Sequence, residues 1–139
     1  MSGFVLDASV TLRWFLDHPM PPFANRVKPH LLKGARAVVP ALWHLEMSNG
    51  LVVAQRRSIL TAADVDQAVI DLEQFVTQAV DTETSVVSAR QSLATARAFQ
   101  LSAYDAVYLD LARNQRLTLA TLDDRLRAAA TQAGVSPLR

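Results

Sequence analysis

Short apolar runs alternate with longer segments of helical periodicity along this chain, and the alternation limits the folds open to it. Residues 3–6 (GFVL) form the first run, and residues 8–16 (ASVTLRWFL) follow at helical spacing. Residues 35–39 (ARAVV) and 117–120 (LTLA) predict further strands, and residues 78–82 (QAVDT) predict a shorter one. Strands that alternate with helices predict a mainly parallel central sheet between helical layers, a three-layer α/β/α sandwich.

The segments between the predicted strands carry helix signals. HPMPP at residues 18–22 is predicted to interrupt the first helix, and Thr61 is predicted to form a capping box with Asp64 at the start of another. The remaining helices are predicted over residues 23–33, 41–57, 61 to at least 76, 85–99, 101–115 and 123–133.

Composition bounds the class of protein. The 139 residues, half of them apolar, are expected to form one domain over residues 1–139 with a hydrophobic core. No apolar run approaches the roughly 20 residues that span a bilayer, so we expect a soluble, uncleaved, cytoplasmic protein that does not enter a membrane. The chain has no cysteine, so a metal would have to bind mainly through oxygen.

The charge balance does not by itself indicate nucleic-acid binding. Lys plus Arg total 14 against 13 for Asp plus Glu, although most of the cations are arginines. Arg113, Arg116, Arg125 and Arg127 lie close to the stretch LTLATLDDRL, residues 117–126. Their planar guanidinium groups either bind phosphate or form an ordinary solvated helix face.

Four acids fall near the ends of predicted strands or in the helices that leave them. Asp7 directly follows the first strand, and Asp123 follows the last by two residues. Glu46 lies early in the helix after the second strand, and Asp105 lies near the start of its helix. In open α/β sheets the functional crevice lies at the carboxyl ends of the strands, so these acids are expected to converge.

Taken singly, each acid also has a structural interpretation. These are a helix cap for Asp7, a capping box with Ser102 for Asp105, an exposed stripe shared with Asn49 for Glu46, and a first-turn acid for Asp123. In one pocket, however, two carboxylates about 4 Å apart repel by roughly 4 kcal/mol at an effective dielectric of 20. A converging set must therefore take up protons or bind a hard divalent cation, and an oxygen-only site suits Mg²⁺ or Mn²⁺. Such a site positions phosphate oxygens and activates water.

The neighbouring aspartates of LTLATLDDRL are expected to differ. Thr121 and Asp124 have the spacing of a capping box, which gives Asp124 a structural role. Asp123 is then left as the candidate site acid.

Several fragments together resemble a PIN-domain ribonuclease, and more narrowly the VapC toxins of type II toxin–antitoxin pairs. They are VLDASV with Asp7 and Ser9, ALWHLEMSNGL with Glu46 and Asn49, LSAYDAVYLDLA with Asp105, and T-x-D with Thr121 and Asp123. Together the fragments span most of the chain, and their order and strand–helix context make the combination fairly specific.

The resemblance implies a PIN fold and an endoribonuclease that depends on Mg²⁺ or Mn²⁺. It implies that the four acids are catalytic and bind the metal, with support from the side chains of Ser9, Thr121 and Asn49. An RNA substrate, a cognate antitoxin and a homodimer are also implied. The alternatives are a catalytically silent PIN-like interaction module and a nuclease that acts on DNA.

Aromatic residues are interpreted as packing residues. Tyr108 follows Tyr104 by one helical turn, so the two are predicted to form a packing stripe, although stacking on bases is the alternative. His44 and Glu46 have the H-x-E spacing of zinc deaminases, but the Cys-x-x-Cys partner of that site is absent from the sequence.

Overall fold

The computed structural model describes residues 3–16 and 22–139, and a four-stranded parallel sheet lies at its centre. The strands are β1 (Gly3–Leu6), β2 (Arg36–Pro40), β3 (Val80–Glu83) and β4 (Thr118–Ala120). Their order across the sheet is β3-β2-β1-β4, and each neighbouring pair is parallel. The predicted mainly parallel α/β architecture is confirmed.

Helices flank the sheet. They are α1 (Ala8–Leu16), α2 (Pro22–Leu32), α3 (Ala41–Arg56), α4 (Ala62–Ala79), α5 (Ala89–Phe99), α6 (Ala103–Gln115) and α7 (Asp124–Gln132). β2 and β3 follow β1 in sequence and lie on one side of it, whereas β4 lies on its other side. With right-handed crossovers, α1–α4 and α5–α6 therefore cover opposite faces. In agreement, α1 packs on α2 and α3, whereas α5 packs on α6, which contacts β1, β2 and β4.

Strands β1, β2 and β4 are apolar because both faces of the sheet are covered. Phe4, Val5 and Leu6 of β1 are almost fully buried, and so are Val39 of β2 and Leu119 of β4. Strands of parallel sheets that are buried on both sides have this near-continuous apolar sequence. Among the described residues, no helix is long and apolar enough to cross a membrane.

Most predicted boundaries agree with the structure to within one or two residues. The predicted capping box at Thr61 is confirmed, since its hydroxyl accepts a hydrogen bond from the Asp64 N–H and the Asp64 carboxylate accepts one from the Thr61 N–H. The predicted helix start at residue 85 is wrong, because the cap is Ser88 and α5 begins after it. Of the predicted break at residues 18–22, all but Pro22 lies outside the described residues, and Pro22 begins α2.

The strand order of the sheet reverses between β1 and β4, which makes this a topological switch point. β1 lies between β2, which follows it in sequence, and β4, which the chain adds after crossing back. The connections that leave β1 and β4 therefore diverge, and a crevice opens outside their carboxyl ends.

Candidate functional site

The neighbouring strands β1 and β4 end side by side at this crevice. Asp7 directly follows β1 and Thr121 directly follows β4, and the Asp7 N–H donates to the Ala120 carbonyl at 3.0 Å. Two side chains that are more than a hundred residues apart in sequence are thereby brought to one edge of the sheet.

Two hydroxyl groups hold the Asp7 carboxylate. Its Oδ2 accepts hydrogen bonds from Ser9 Oγ and Thr121 Oγ1, both at 2.7 Å, and the side chain is only 5% exposed. The Ser9 hydroxyl in turn accepts from the Leu122 N–H at 3.0 Å, and the Thr121 hydroxyl accepts from the Asp123 N–H at 3.0 Å. Because backbone N–H groups occupy the lone pairs, both hydroxyls direct their protons to Asp7. Ser9 and Thr121 thus lie where the sequence predicts.

Asp123 is the N-cap of α7. Its Oδ1 accepts hydrogen bonds from the N–H groups of Arg125 and Leu126, at 2.9 and 3.1 Å. The predicted capping box between Thr121 and Asp124 is wrong, because the Thr121 hydroxyl is used by Asp7 and by the Asp123 N–H. Asp124 is exposed instead and forms an ion pair with Arg127 at 3.3 Å.

Glu46 is held by a tyrosine that the sequence analysis missed. The Tyr108 hydroxyl donates to Glu46 Oε1 at 2.6 Å and accepts from the Ala8 N–H at 3.4 Å. The predicted packing stripe is wrong, because Tyr108 is fully buried whereas Tyr104 is 65% exposed. One signal was available: Tyr108 lies three residues after Asp105, so both occupy the same face of α6.

Asp105 and Asn49 have less defined surroundings. The Asp105 N–H donates to the Ser102 hydroxyl at 3.1 Å, as expected of a cap, and its carboxylate is half-buried. Asn49 is exposed, and its side chain makes no hydrogen bond within residues 3–16 and 22–139. Its supporting role therefore stays a prediction without a contact behind it.

The four acids lie within one another's electric fields. Burial raises the pKa of the Asp7 carboxyl, the hydrogen bonds from Thr121 and Ser9 oppose that rise, and repulsion from Asp123 adds to it. Burial also raises the pKa of Glu46 and of Asp105, and both are raised further by neighbouring carboxylates. The predicted acids are thus near enough to interact electrostatically, and each of these three pKa values is displaced in the direction that disfavours the bare anion.

The donor set fits a hard divalent cation in its chemistry. The side-chain hydrogen bonds of three carboxylates fall on one oxygen of each, namely Asp7 Oδ2, Glu46 Oε1 and Asp123 Oδ1. Anionic carboxylate oxygen of this kind suits Mg²⁺ or Mn²⁺. In the described part of the chain, however, no group of three or more His, Cys, Asp or Glu side chains is close enough together to hold one ion.

The arginines that are close to this motif in sequence separate in space. Arg113 and Arg116 line a cavity with Thr118, at the opposite end of β4 from the acids. Arg125 lines another with Phe99. Arg127 stays at the site, where its guanidinium donates to the Thr121 carbonyl at 2.7 Å.

The fold and this acid-lined crevice agree with one protein family. The sequence profile of the PIN domain matches residues 4–132, and the chain therefore belongs to the PIN-domain family. PIN domains are typically metal-dependent nucleases.

Several solved structures resemble the chain, and three of them illustrate the likeness. FitAcB from Neisseria gonorrhoeae has a TM-score of 0.70 at 19% identity, with 98% of this chain and 96% of that one covered. PAE2754 from Pyrobaculum aerophilum has a TM-score of 0.68 at 19% identity, with 92% and 84% covered. A domain of a functionally unknown protein from Methanocaldococcus jannaschii has a TM-score of 0.60 at 14% identity, with 99% and 90% covered. At these identities the likeness concerns the fold alone. No curated protein sequence matches the chain significantly.

Proposed function

We propose that this protein is a divalent-metal-dependent endoribonuclease that hydrolyses RNA phosphodiester bonds. The observation that carries the proposal is the hydrogen-bond network at the reversal point of a PIN-type sheet. Thr121 links Asp7 to the backbone of Asp123, and Tyr108 links Glu46 to the Ala8 N–H beside Asp7. Asp105 lies one turn before Tyr108 on α6 and within electrostatic reach of Asp7 and Asp123. Within the part of the chain that the structure describes, this set of acids meets hydroxyl and amide donors rather than a permanent cationic partner. Such a set supplies charge and oxygen ligands to something that comes from outside.

The chain's own groups have separable tasks in this proposal. Ser9 and Thr121 fix the rotamer of Asp7, and α7 fixes Asp123 through its first-turn N–H groups. Burial raises the pKa of Tyr108 far above its ordinary value, so its hydroxyl stays a proton donor and orients Glu46. A bound Mg²⁺ or Mn²⁺ would neutralise the carboxylates and supply the Lewis acid for phosphodiester hydrolysis.

We further propose a biological context. The motifs around the four acids resemble those of VapC toxins, so the chain acts as the toxin of a type II pair in the cytoplasm. A cognate antitoxin then blocks the crevice, and the toxin is a homodimer of one PIN domain per chain, residues 1–139. A small open reading frame directly upstream that encodes a DNA-binding antitoxin would support this context.

The direct test is cleavage by purified protein that is free of antitoxin. Single-stranded and structured RNAs are expected to be cut with Mg²⁺ or Mn²⁺ and to stay intact with EDTA. Asp7→Asn should abolish cleavage. Asp124→Asn, which changes an exposed acid at the start of α7, should leave cleavage intact.

Two other outcomes would redirect the proposal. Cleavage of single-stranded DNA in preference to RNA would identify a DNase on the same fold. Folded protein that cleaves neither and binds no metal would identify a catalytically silent interaction module.

A further inference from the structure

A cleft lined by arginines lies beside the candidate site. It has a volume of about 350 Å³ and is lined by Phe23 and Arg26 of α2, Arg127 of α7, and Pro137, Leu138 and Arg139. We call these residues the arginine cleft. The guanidinium groups of Arg26 and Arg127 both lie over the Phe23 ring, 5.6 and 5.5 Å from its centroid. A single phenyl ring thereby holds two cations close together.

The arginine cleft is connected to the acids through one residue. Arg127 donates to the Thr121 carbonyl at 2.7 Å, and the hydroxyl of the same Thr121 donates to Asp7 at 2.7 Å. The Arg127 side chain is 39% exposed, so it is held in place yet still reaches solvent. Its position relative to Asp7 is therefore fixed by hydrogen bonds.

The charge of the arginine cleft is only partly compensated. Arg127 has Asp124 at 3.3 Å, but that acid is 94% exposed and its pull is screened by water. Arg26 forms no ion pair with any residue that the structure describes, and Arg139 adds a third cation to the lining. A positive surface thus adjoins four carboxylates that would by themselves repel a polyanion.

We infer that the arginine cleft binds a backbone phosphate of single-stranded RNA next to the bond that is cleaved, an inference that rests on the proposed function. Planar guanidinium groups bind phosphate oxygens in pairs, and the attraction offsets the repulsion that the acids exert on the same strand. Two cations already engage the Phe23 ring, so a base does not stack there. The cleft therefore recognises the backbone and not the sequence.

The test measures binding without cleavage. In the Asp7→Asn background, the dissociation constants of a fluorescein-labelled single-stranded RNA of mixed sequence and of oligouridylate are measured by anisotropy between 50 and 300 mM salt. Arg26→Gln and Arg127→Gln are each expected to weaken binding about three- to tenfold, equally for both RNAs, and to lower the salt dependence by about one released ion. Arg90→Gln is the matched control, since Arg90 is an exposed arginine on α5 outside the cleft.

The outcomes separate this inference from the proposed function. Because Arg127→Gln also removes a structural hydrogen bond, Arg26→Gln is the decisive variant. If folded Arg26→Gln binds RNA with unchanged affinity and salt dependence, the inferred phosphate binding in the cleft is refuted. If Arg26→Gln weakens the binding of only one of the two RNAs, the cleft recognises bases and the inference is overturned. If Arg26→Gln weakens the binding of an oligoglutamate peptide and not that of RNA, the cleft binds a protein ligand and the inference is overturned too. Absence of RNA binding in the Asp7→Asn background overturns it as well. Failure of the wild-type protein to cleave RNA, with Arg26-dependent binding intact, instead refutes the nuclease and leaves the cleft.

Discussion

Two acids lie in or directly after strands of the sheet, and their surroundings differ in burial and in charge. Asp81 on the edge strand β3 pairs with Arg36 at 2.8 Å, and both side chains reach solvent. Asp7, directly after the central strand β1, is buried and meets two neutral hydroxyls. The Arg36 guanidinium holds the pKa of Asp81 below its ordinary value, whereas burial raises that of Asp7.

The difference separates a structural acid from a candidate functional one. Asp81 already has its counter-charge, so nothing further needs to bind it. Asp7 is oriented by hydrogen bonds and remains without a compensating cation from the described part of the chain. A buried carboxylate of that kind is costly unless a proton or a ligand from outside completes it.

The largest effect is expected at Asp7. Asp7→Asn keeps the shape of the side chain and removes its charge, so RNA cleavage should fall at least about a hundredfold, the upper range for the loss of a metal-supporting group. Asp81→Asn should leave the rate unchanged. Initial rates on a labelled RNA at saturating Mn²⁺ measure both, and equal losses would mean that the two acids do not differ in function.

Asp123 comes next, and it tests the corrected helix cap. Asp123→Asn should lower cleavage about a hundredfold at little cost in stability, because Asn caps helices as well as Asp does. Asp123→Ala should in addition lower the free energy of unfolding by about 1 kcal/mol. Asp124→Asn is the neighbouring control in rate assays and urea unfolding. A comparable loss of rate in Asp124→Asn would contradict the assignment of the functional role to Asp123 alone.

A smaller effect on rate is expected at Tyr108. Tyr108→Phe removes the donor to Glu46, so cleavage should fall about tenfold. The buried Ala8 N–H also loses its acceptor, which should cost about 1–3 kcal/mol in stability. Tyr104→Phe changes an exposed ring and serves as control. If Tyr108→Phe unfolds more easily but cleaves RNA at the normal rate, the tyrosine is structural only.

The pH dependence of stability should have a definite sign at Asp7. Its pKa in the folded protein lies above the ordinary 3.8, so the folded state keeps the proton longer than the unfolded chain does. Stability of the metal-free protein therefore falls as pH rises from 3.8 through the folded pKa, and Asp7→Asn should be the more stable protein at neutral pH. Millimolar Mn²⁺ should raise the melting temperature of the wild type and not of Asp7→Asn. A flat difference between the two proteins across pH would contradict the assignment.

The smallest effect belongs to the ion pair on β3. The lowered pKa of Asp81 means that its contribution is present above pH 3.8 and is lost as pH falls through the folded pKa, the opposite sign to Asp7. Because the pair is exposed, Asp81→Asn should move the melting temperature by no more than about 2 °C. Calorimetry at pH 7 and pH 3 measures this, and a larger shift would mean that the edge strand depends on the pair.

The sequence predicts the elements of the fold and the four acids, because each acid lies next to a strand end or early in a helix that the local pattern indicates. It does not predict that Tyr108 reaches Glu46, since that contact joins α6 to α3 through packing. The cap of α7 was misassigned for a similar reason: Thr121 and Asp123 compete for one role, and the distant Asp7 decides between them by using the Thr121 hydroxyl. Proximity in sequence also misplaced Arg113 and Arg116, because β4 separates them from the acids.

The pairing of β1 with β4 has a consequence for synthesis of the chain. Asp7 emerges from the ribosome early, but the hydroxyl of Thr121 and the carboxylate of Asp123 that share its crevice emerge more than a hundred residues later. A nascent chain can therefore build β1, β2 and β3 without possessing a site. If the protein degrades RNA, the ribosome that makes it is exposed to the activity only after Thr121 and Asp123 have emerged.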